Sequence, residues 1–89
     1  MKDYYHIVIK HSAKRELKRI DNKDLPRIID KIKKLSINPF PPQATKLEGF
    51  KNLYRIRSGK YRIVYTVDTN EKIITIFHVR HRKDIYKNL

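Results

Sequence analysis

Three β-strand segments follow one another in the second half of the chain, and this succession constrains the fold more than any other feature. The segments are residues 52–57, 60–67 and 72–79. They are rich in Ile, Val, Tyr and Thr, as strands are. Ser58-Gly59 separates the first two segments, and residues 68–71 separate the second from the third. Both connections are typical of hairpin turns, so the second half is predicted to form an antiparallel sheet.

One more strand and a first helix are predicted near the start of the chain. Residues 4–10 combine Tyr, Ile and Val in a loose alternation that is typical of a strand. Ser12 can cap a helix in which Ala13, Leu17 and Ile20 recur at helical spacing. The first part of the chain is therefore predicted to run from a strand directly into a helix.

A second helix is predicted to begin at residues 24–26, because Pro26 is tolerated in a first helical turn. Asn38-Pro39 ends it. Its apolar stripe comprises Leu25, Ile28, Ile29, Ile32 and Leu35. Few residues join the two helices, so an antiparallel helical hairpin is expected.

The segment between the helices and the sheet, residues 37–50, contains three prolines and one glycine and is predicted to be a loop. The element order β-α-α-β-β-β predicts one α+β domain over residues 1–89. In this domain the N-terminal strand completes a mostly antiparallel four-stranded sheet, on which the antiparallel helical hairpin packs. Residues 80–89 are predicted to form a short basic C-terminal tail or helix.

The charge of the chain indicates an acidic partner. Lys and Arg number 22 against 9 Asp and Glu, a net charge of +13. Solubility alone needs a magnitude of only about 2–8 in a small domain, so nucleic acid, an acidic protein or both are expected. No apolar run approaches the ~20 residues of a membrane span, and no signal peptide is recognised. We therefore expect a cytoplasmic protein that does not bind membranes.

Arginines of the first two predicted hairpin strands are expected on one face of the sheet. Strand alternation places Arg55 and Arg57 together, and it places Arg62 on the same face of the next strand. Three neighbouring guanidinium groups repel one another, but each binds phosphate through a planar bidentate fork. A phosphate site on an open sheet face is therefore favoured over an ordinary solvated face.

The chain offers no competing catalytic constellation. The acidic residues are scattered, the four histidines have no zinc-binding spacing, and two glycines cannot make a glycine-rich phosphate loop. No metal and no cofactor is expected. His81 is a candidate proton carrier because histidine is the residue type best suited to carry protons near neutral pH, although a plain polar edge residue is the favoured interpretation.

Several segments in this order resemble the RelE/ParE toxin superfamily. They are residues 5–9, 12–13, 46–49, 54–65 and 79–86. The resemblance covers nearly the whole chain and implies a toxin that is neutralised by a co-encoded acidic antitoxin of the RelB kind. It also implies that toxin and antitoxin chains form a hetero-oligomer.

The superfamily has two functional branches. RelE-like members cut mRNA in the ribosomal A site, and ParE-like members act on DNA gyrase without the nuclease residues. The resemblance implies catalytic roles for Arg55, Arg57, Arg62, Arg82 and Tyr86. The tail residues Arg82 and Tyr86 favour a RelE-like endoribonuclease, with mRNA and the ribosome as partners.

Further RNA contacts are expected from Lys60, Arg80 and Lys83. RelE-like enzymes often carry lysines at the two positions that Arg55 and Arg57 fill here. Arginine keeps its proton, so Tyr86 or His81 would have to transfer protons. A gyrase inhibitor and a basic RNA-binding module without catalysis are the two alternatives.

Overall fold

The computed structural model describes residues 4–83, and within this range two helices and five strands alternate along the chain. The elements are β1 (His6–Ile9), α1 (His11–Lys18), α2 (Leu25–Leu35), β2 (Thr45–Lys46), β3 (Leu53–Ser58), β4 (Tyr61–Asp68) and β5 (Ile73–His81). The predicted α+β class is confirmed. The strand count of four is one too low, because Thr45–Lys46 lies in the segment predicted as a loop and pairs with β3.

The five strands form one sheet in the order β1-β5-β4-β3-β2. Strand β1 runs parallel to β5, and every other neighbouring pair is antiparallel. The sheet is thus mostly antiparallel, as predicted. Because β1 inserts beside β5 at the opposite edge from β2, the first and last strands of the described chain are neighbours.

Both hairpin turns lie close to their predicted positions. The first is one residue later than expected, because Ser58 still pairs with Tyr61 and the chain reverses at Gly59 and Lys60. Gly59 has a φ of 59°, a left-handed conformation that glycine adopts without a Cβ clash. In the second turn the Asp68 carboxylate accepts the backbone N–H of Asn70 at 3.0 Å, which closes the loop.

The helices and one face of the sheet enclose the hydrophobic core. Its buried members are Ala13, Ile20, Ile28, Ile32, Leu35, Ile56, Ile63, Tyr65, Val67, Ile74, Ile76 and Val79. Ile63, Tyr65 and Val67 alternate along β4, and on β3 the partly buried Tyr54 packs beside Ile56, as period-two sorting predicted. None of the helices in the described part of the chain is long and apolar enough to cross a membrane.

Helix α1 covers the part of the β5 edge that β1 does not reach. The β1–β5 pairing ends at Ile9 and Ile76. Ser12 is predicted to cap α1, but the cap residue is Lys10, and no side chain among residues 4–83 caps the helix. Ser12 instead lies inside the helix and donates its hydroxyl to the Phe77 carbonyl at 2.7 Å. The prediction was wrong because a tertiary partner on β5 competes for this hydroxyl.

Candidate functional site

Three arginines lie side by side across the centre of the sheet. The β3–β4 register pairs Arg57 with Arg62, and the β4–β5 register pairs Arg62 with Arg80. Directly opposed residues of neighbouring strands share a face of the sheet. The adjacent positions Ile63 and Val79 are buried in the core, so this arginine row occupies the other face.

The central arginine of the row is buried. Arg62 is only 6% exposed, and its Nη1 atom has no hydrogen-bond partner within residues 4–83. The predicted face is therefore right, but the expectation that Arg62 emerges into solvent is wrong. Burial of a charged donor without a partner is costly. An anion that accepts hydrogen bonds from Arg62 would remove this cost.

A cleft of about 410 Å³ lies over this face of the sheet. It is lined by Gln43, Thr45, Arg55, Arg57, Gly59 and Arg62, and we call it the arginine cleft. It brings together the three strand arginines that the sequence placed on one face. Three guanidinium groups around one cavity can hold the oxygens of a phosphate group from several directions.

Two lining residues of the arginine cleft escaped the sequence interpretation. Gln43 and Thr45 lie in the proline-containing segment, and Thr45 pairs with Arg55 through the short strand β2. A two-residue strand is too short to show a period-two pattern. Nothing in the local sequence therefore distinguishes this edge strand from a loop.

The backbone of Arg80 places it in the arginine row, but its guanidinium group forms an ion pair with Glu16 on α1. Arg80 Nε donates to the Glu16 carboxylate at 2.8 Å. The same carboxylate accepts the backbone N–H of Val79 at 3.0 Å and lies 3.3 Å from His78 Nδ1. Arg80 consequently lines a second cavity beside α1 rather than the arginine cleft.

His81 lies on the opposite side of the sheet from Arg62. It pairs with Tyr61, and the two rings meet edge to face with centroids 5.4 Å apart. Tyr61 packs against the hydrophobic core, which places this pair on the helix side. The structure does not bring the candidate proton carrier into the arginine cleft.

The chain after β5 returns to the first hairpin turn. The backbone N–H of Arg82 donates to the Lys60 carbonyl at 2.8 Å. Lys60, Arg82 and Lys83 are exposed, so their positive charges surround this turn at one end of β4. Tyr86, the predicted catalytic tyrosine, lies outside the described residues.

Tyr65 belongs to the hydrophobic core and does not line the arginine cleft. Burial raises its pKa far above the usual value, and the neighbouring Tyr54 adds to this effect. The Tyr65 hydroxyl donates to the Pro39 carbonyl at 2.9 Å. This bond anchors the segment after α2 to the sheet. Within residues 4–83 no three His, Asp or Glu side chains are grouped so that they could hold a metal ion.

Comparisons with known proteins agree on one superfamily. The family model described as the ParE toxin of type II toxin–antitoxin systems matches residues 7–86. The toxin RelE of Mycobacterium tuberculosis is 31% identical over 87 residues, which cover 93% of this chain and 87% of that relative.

Solved structures show the same architecture. The archaeal RelE–RelB complex from Pyrococcus horikoshii contains a chain with a TM-score of 0.79 and 29% identity, covering 92% of this chain and 97% of that one. For the RelB–RelE antitoxin–toxin complex from Methanococcus jannaschii the TM-score is 0.77 and the identity 29%, with coverage of 92% and 98%.

Proposed function

Because the chain belongs to the RelE/ParE toxin superfamily of type II toxin–antitoxin systems, we propose that it is a RelE-like endoribonuclease. In this proposal it cuts mRNA in the ribosomal A site, stops translation, and is neutralised by an acidic antitoxin of the RelB kind. The observation that supports the nuclease proposal is the arginine cleft, whose lining includes the buried Arg62 with one guanidinium nitrogen that has no hydrogen-bond partner among the described residues.

The arginine cleft suits a phosphodiester better than it suits a protein surface. Arg55, Arg57 and Arg62 concentrate three positive charges around one small cavity. A phosphate group offers several acceptor oxygens within a few ångströms, which matches converging guanidinium groups. A flat protein partner would leave the buried nitrogen of Arg62 without an acceptor.

The chemistry of RNA allows cleavage with these groups. The ribose 2′-OH loses its proton and attacks the adjacent phosphorus, an O2′–P bond forms, and the P–O5′ bond breaks. The products are a 2′,3′-cyclic phosphate and a 5′-OH that takes up a proton. Arg62, Arg55 and Arg57 would stabilise the charge that develops on the phosphate oxygens, and the ribosome would help to align the nucleotide.

Proton transfer falls to residues near the C-terminus in this mechanism. The arginines of the cleft stay protonated and cannot act as a base. We assign the base to Tyr86, because the cations close to it in the sequence, Arg82 and Lys83, would favour ionisation of a nearby phenol, and Arg82 to orienting the phosphate or assisting the leaving group. His81 is a weaker choice, since its ring packs on Tyr61 across the sheet from Arg62.

A gyrase inhibitor is the second candidate function. The matching family model carries the ParE description, and ParE-like toxins bind gyrase without cleaving RNA. That function gives no role to the buried guanidinium of Arg62 or to Tyr86. Loss of these side chains should therefore remove toxicity if the protein is a nuclease and leave toxicity intact if it is a gyrase inhibitor.

Primer extension on preassembled ribosomes that carry a defined mRNA tests the proposal. Wild-type protein should cut within the A site and cut the same RNA far less without ribosomes. Arg62→Ala should slow cleavage about 10²–10³-fold, by analogy with the loss of one oxyanion donor. Lys33→Ala, which removes an exposed lysine of α2, is the matched control and should stay close to wild type.

Two further measurements examine the assignment of roles. Tyr86→Phe removes only a hydroxyl and should lower the cleavage rate more than ribosome binding. A phosphorothioate at the scissile phosphate should show no rescue by Cd²⁺, because arginines rather than a metal ion contact those oxygens. If Arg62→Ala and Tyr86→Phe both remain fully toxic in cells, the nuclease proposal fails and gyrase inhibition becomes the function to measure.

A further inference from the structure

One wall of the arginine cleft is uncharged, and phosphate binding does not explain it. Gln43 and Thr45 form this wall, on the side of the edge strand β2. Antiparallel pairing places Thr45 directly opposite Arg55, with Cα atoms about 4.5–5.5 Å apart in such a pair. Gln43 and Thr45 are exposed, so their polar groups are available to a ligand in the cleft.

The arginines of the cleft cannot distinguish one nucleotide from another. Every nucleotide carries the same phosphate, and contacts to it fix position without reading sequence. Base edges are neutral sets of hydrogen-bond donors and acceptors. A glutamine carboxamide presents one acceptor and a two-hydrogen donor side by side, and a threonine hydroxyl can donate or accept. The uncharged wall therefore has the chemistry for reading a base.

We propose that Gln43 and Thr45 select the base of the nucleotide whose phosphate Arg62 binds, and that adenine is the preferred base. This inference rests on the proposed function and deepens it. Gln pairs in a bidentate manner with N6 and N7 of adenine, whereas guanine presents two acceptors on the same edge. The acceptor of the carboxamide would then face an acceptor of guanine.

The dimensions of the cleft agree with a single nucleotide. Its volume of about 410 Å³ lies in the range of about 300–1,000 Å³ that is usual for small-ligand sites. Arg55, Arg57 and Arg62 line the cleft together with Gln43 and Thr45. One nucleotide thus finds contacts for its phosphate and for its base edge.

Four ribosome complexes that differ only in the base 5′ to the cleavage site test this inference. Single-turnover cleavage by the wild type should favour adenine over guanine by on the order of tenfold. Gln43→Met keeps an unbranched side chain of similar length but removes the carboxamide. It should bring the four rates within about twofold of one another, mainly by slowing cleavage after adenine. Thr45→Val should weaken the preference in the same direction.

Thr69→Val is the matched control, because Thr69 is an exposed threonine in the second hairpin turn, at the far end of β4 from Arg62. It should retain the wild-type ratios. An unchanged adenine preference in Gln43→Met overturns the inference while leaving the proposed function intact. Equal wild-type rates for the four bases overturn it as well.

A binding experiment separates this inference from the proposed function. If the wild type cuts none of the four complexes, the nuclease proposal fails. Fluorescence anisotropy with short uncleavable oligonucleotides, 2′-deoxy at the central position and varied in that base, then decides the inference by itself. Tighter binding of adenine that disappears in Gln43→Met supports it, and equal or absent binding of the four probes overturns it.

Discussion

Arg62 illustrates a conflict between stability and function at a single residue. Its side chain is 6% exposed, and one of its nitrogens has no hydrogen-bond partner among the described residues. Its cross-strand neighbours Arg57 and Arg80 carry the same charge. No contact among the described residues compensates for this burial, so the free protein bears a cost that ligand binding would remove.

Arg62→Met should therefore stabilise the fold while it slows the proposed cleavage as strongly as Arg62→Ala does. Methionine keeps an unbranched, adaptable side chain but needs no hydrogen bond in this site. Replacing a buried charge by an apolar group is often neutral or stabilising. We expect the free energy of unfolding in urea to rise by about 1–3 kcal/mol. A loss of more than about 1 kcal/mol would show that Arg62 supports the fold.

Tyr65 makes a pH-dependent contribution to stability. Its hydroxyl donates to the Pro39 carbonyl, and Tyr65→Phe should lower the free energy of unfolding by about 1–3 kcal/mol because that buried carbonyl loses its donor. The raised pKa in the folded state means that the unfolded chain ionises first. The wild-type advantage is complete below the unfolded pKa of about 10 and is lost at higher pH.

Urea unfolding of wild type and Tyr65→Phe at several pH values measures this effect. Above pH 10 the difference between the two proteins should shrink by about 1.4 kcal/mol per pH unit. Titrations shared by both proteins, including those of the lysines, cancel in the difference. A difference that stays constant from pH 8 to 11 would mean that Tyr65 ionises as readily in the folded state as in the unfolded state.

At the scale of elements, α1 supports the end of β5 through side chains rather than through a strand. Ser12 does not cap α1, and its hydroxyl donates to the Phe77 carbonyl. One turn later, the Glu16 carboxylate accepts the backbone N–H of Val79. Glu16 also holds Arg80, which pairs with Arg62 across the sheet. The helix thereby determines where the third arginine of the row places its head group.

Substitutions of Glu16 should separate its hydrogen bond from its charge. Glu16→Leu leaves the partly buried Val79 N–H without an acceptor and should cost about 1–3 kcal/mol of unfolding free energy. Glu16→Gln keeps an acceptor for Val79 and should cost less. Amide hydrogen exchange at Val79 is the direct measurement, and it should accelerate in Glu16→Leu more than in Glu16→Gln. Equal exchange in the two variants would contradict the role of the carboxylate oxygen.

At the scale of the whole molecule, the net charge of +13 governs encounters with partners. A protein with this net charge attracts RNA and acidic protein segments over a distance of about one Debye length, roughly 10 Å at 0.1 M salt. This long-range attraction speeds association but does not choose between partners. Selection among nucleotides or proteins must come from shape and from hydrogen bonds such as those available in the arginine cleft.

Association with the antitoxin should consequently depend on salt. Stopped-flow mixing with the proposed acidic antitoxin should show an association rate that falls steeply between about 50 mM and 500 mM salt, across which the Debye length shortens several-fold. The dissociation rate should change much less, since it reports short-range contacts. An association rate that is flat over this range would rule out steering by charge.

The sequence by itself determined the elements and the faces of the sheet. Periods of 2 and 3.6 residues are local properties, so they identified both helices, the four longer strands and the side of the sheet on which Arg55, Arg57 and Arg62 lie. The net charge likewise follows from the sequence without knowledge of the fold. The resemblance to the superfamily rests on the residues of segments 5–9, 12–13, 46–49, 54–65 and 79–86, and the comparisons confirm the superfamily.

Only the tertiary structure decided what those residues contact. The partners of Glu16 on β5 are 62–64 residues away along the chain, a separation at which no local pattern carries information. The two-residue strand β2 forms because β3 offers an open edge, and it brings Gln43 and Thr45 to the arginine cleft. Burial of Arg62 depends on all the residues packed around it. Sequence periodicity could therefore predict the face of the sheet on which Arg62 lies, but not how deeply its side chain is buried.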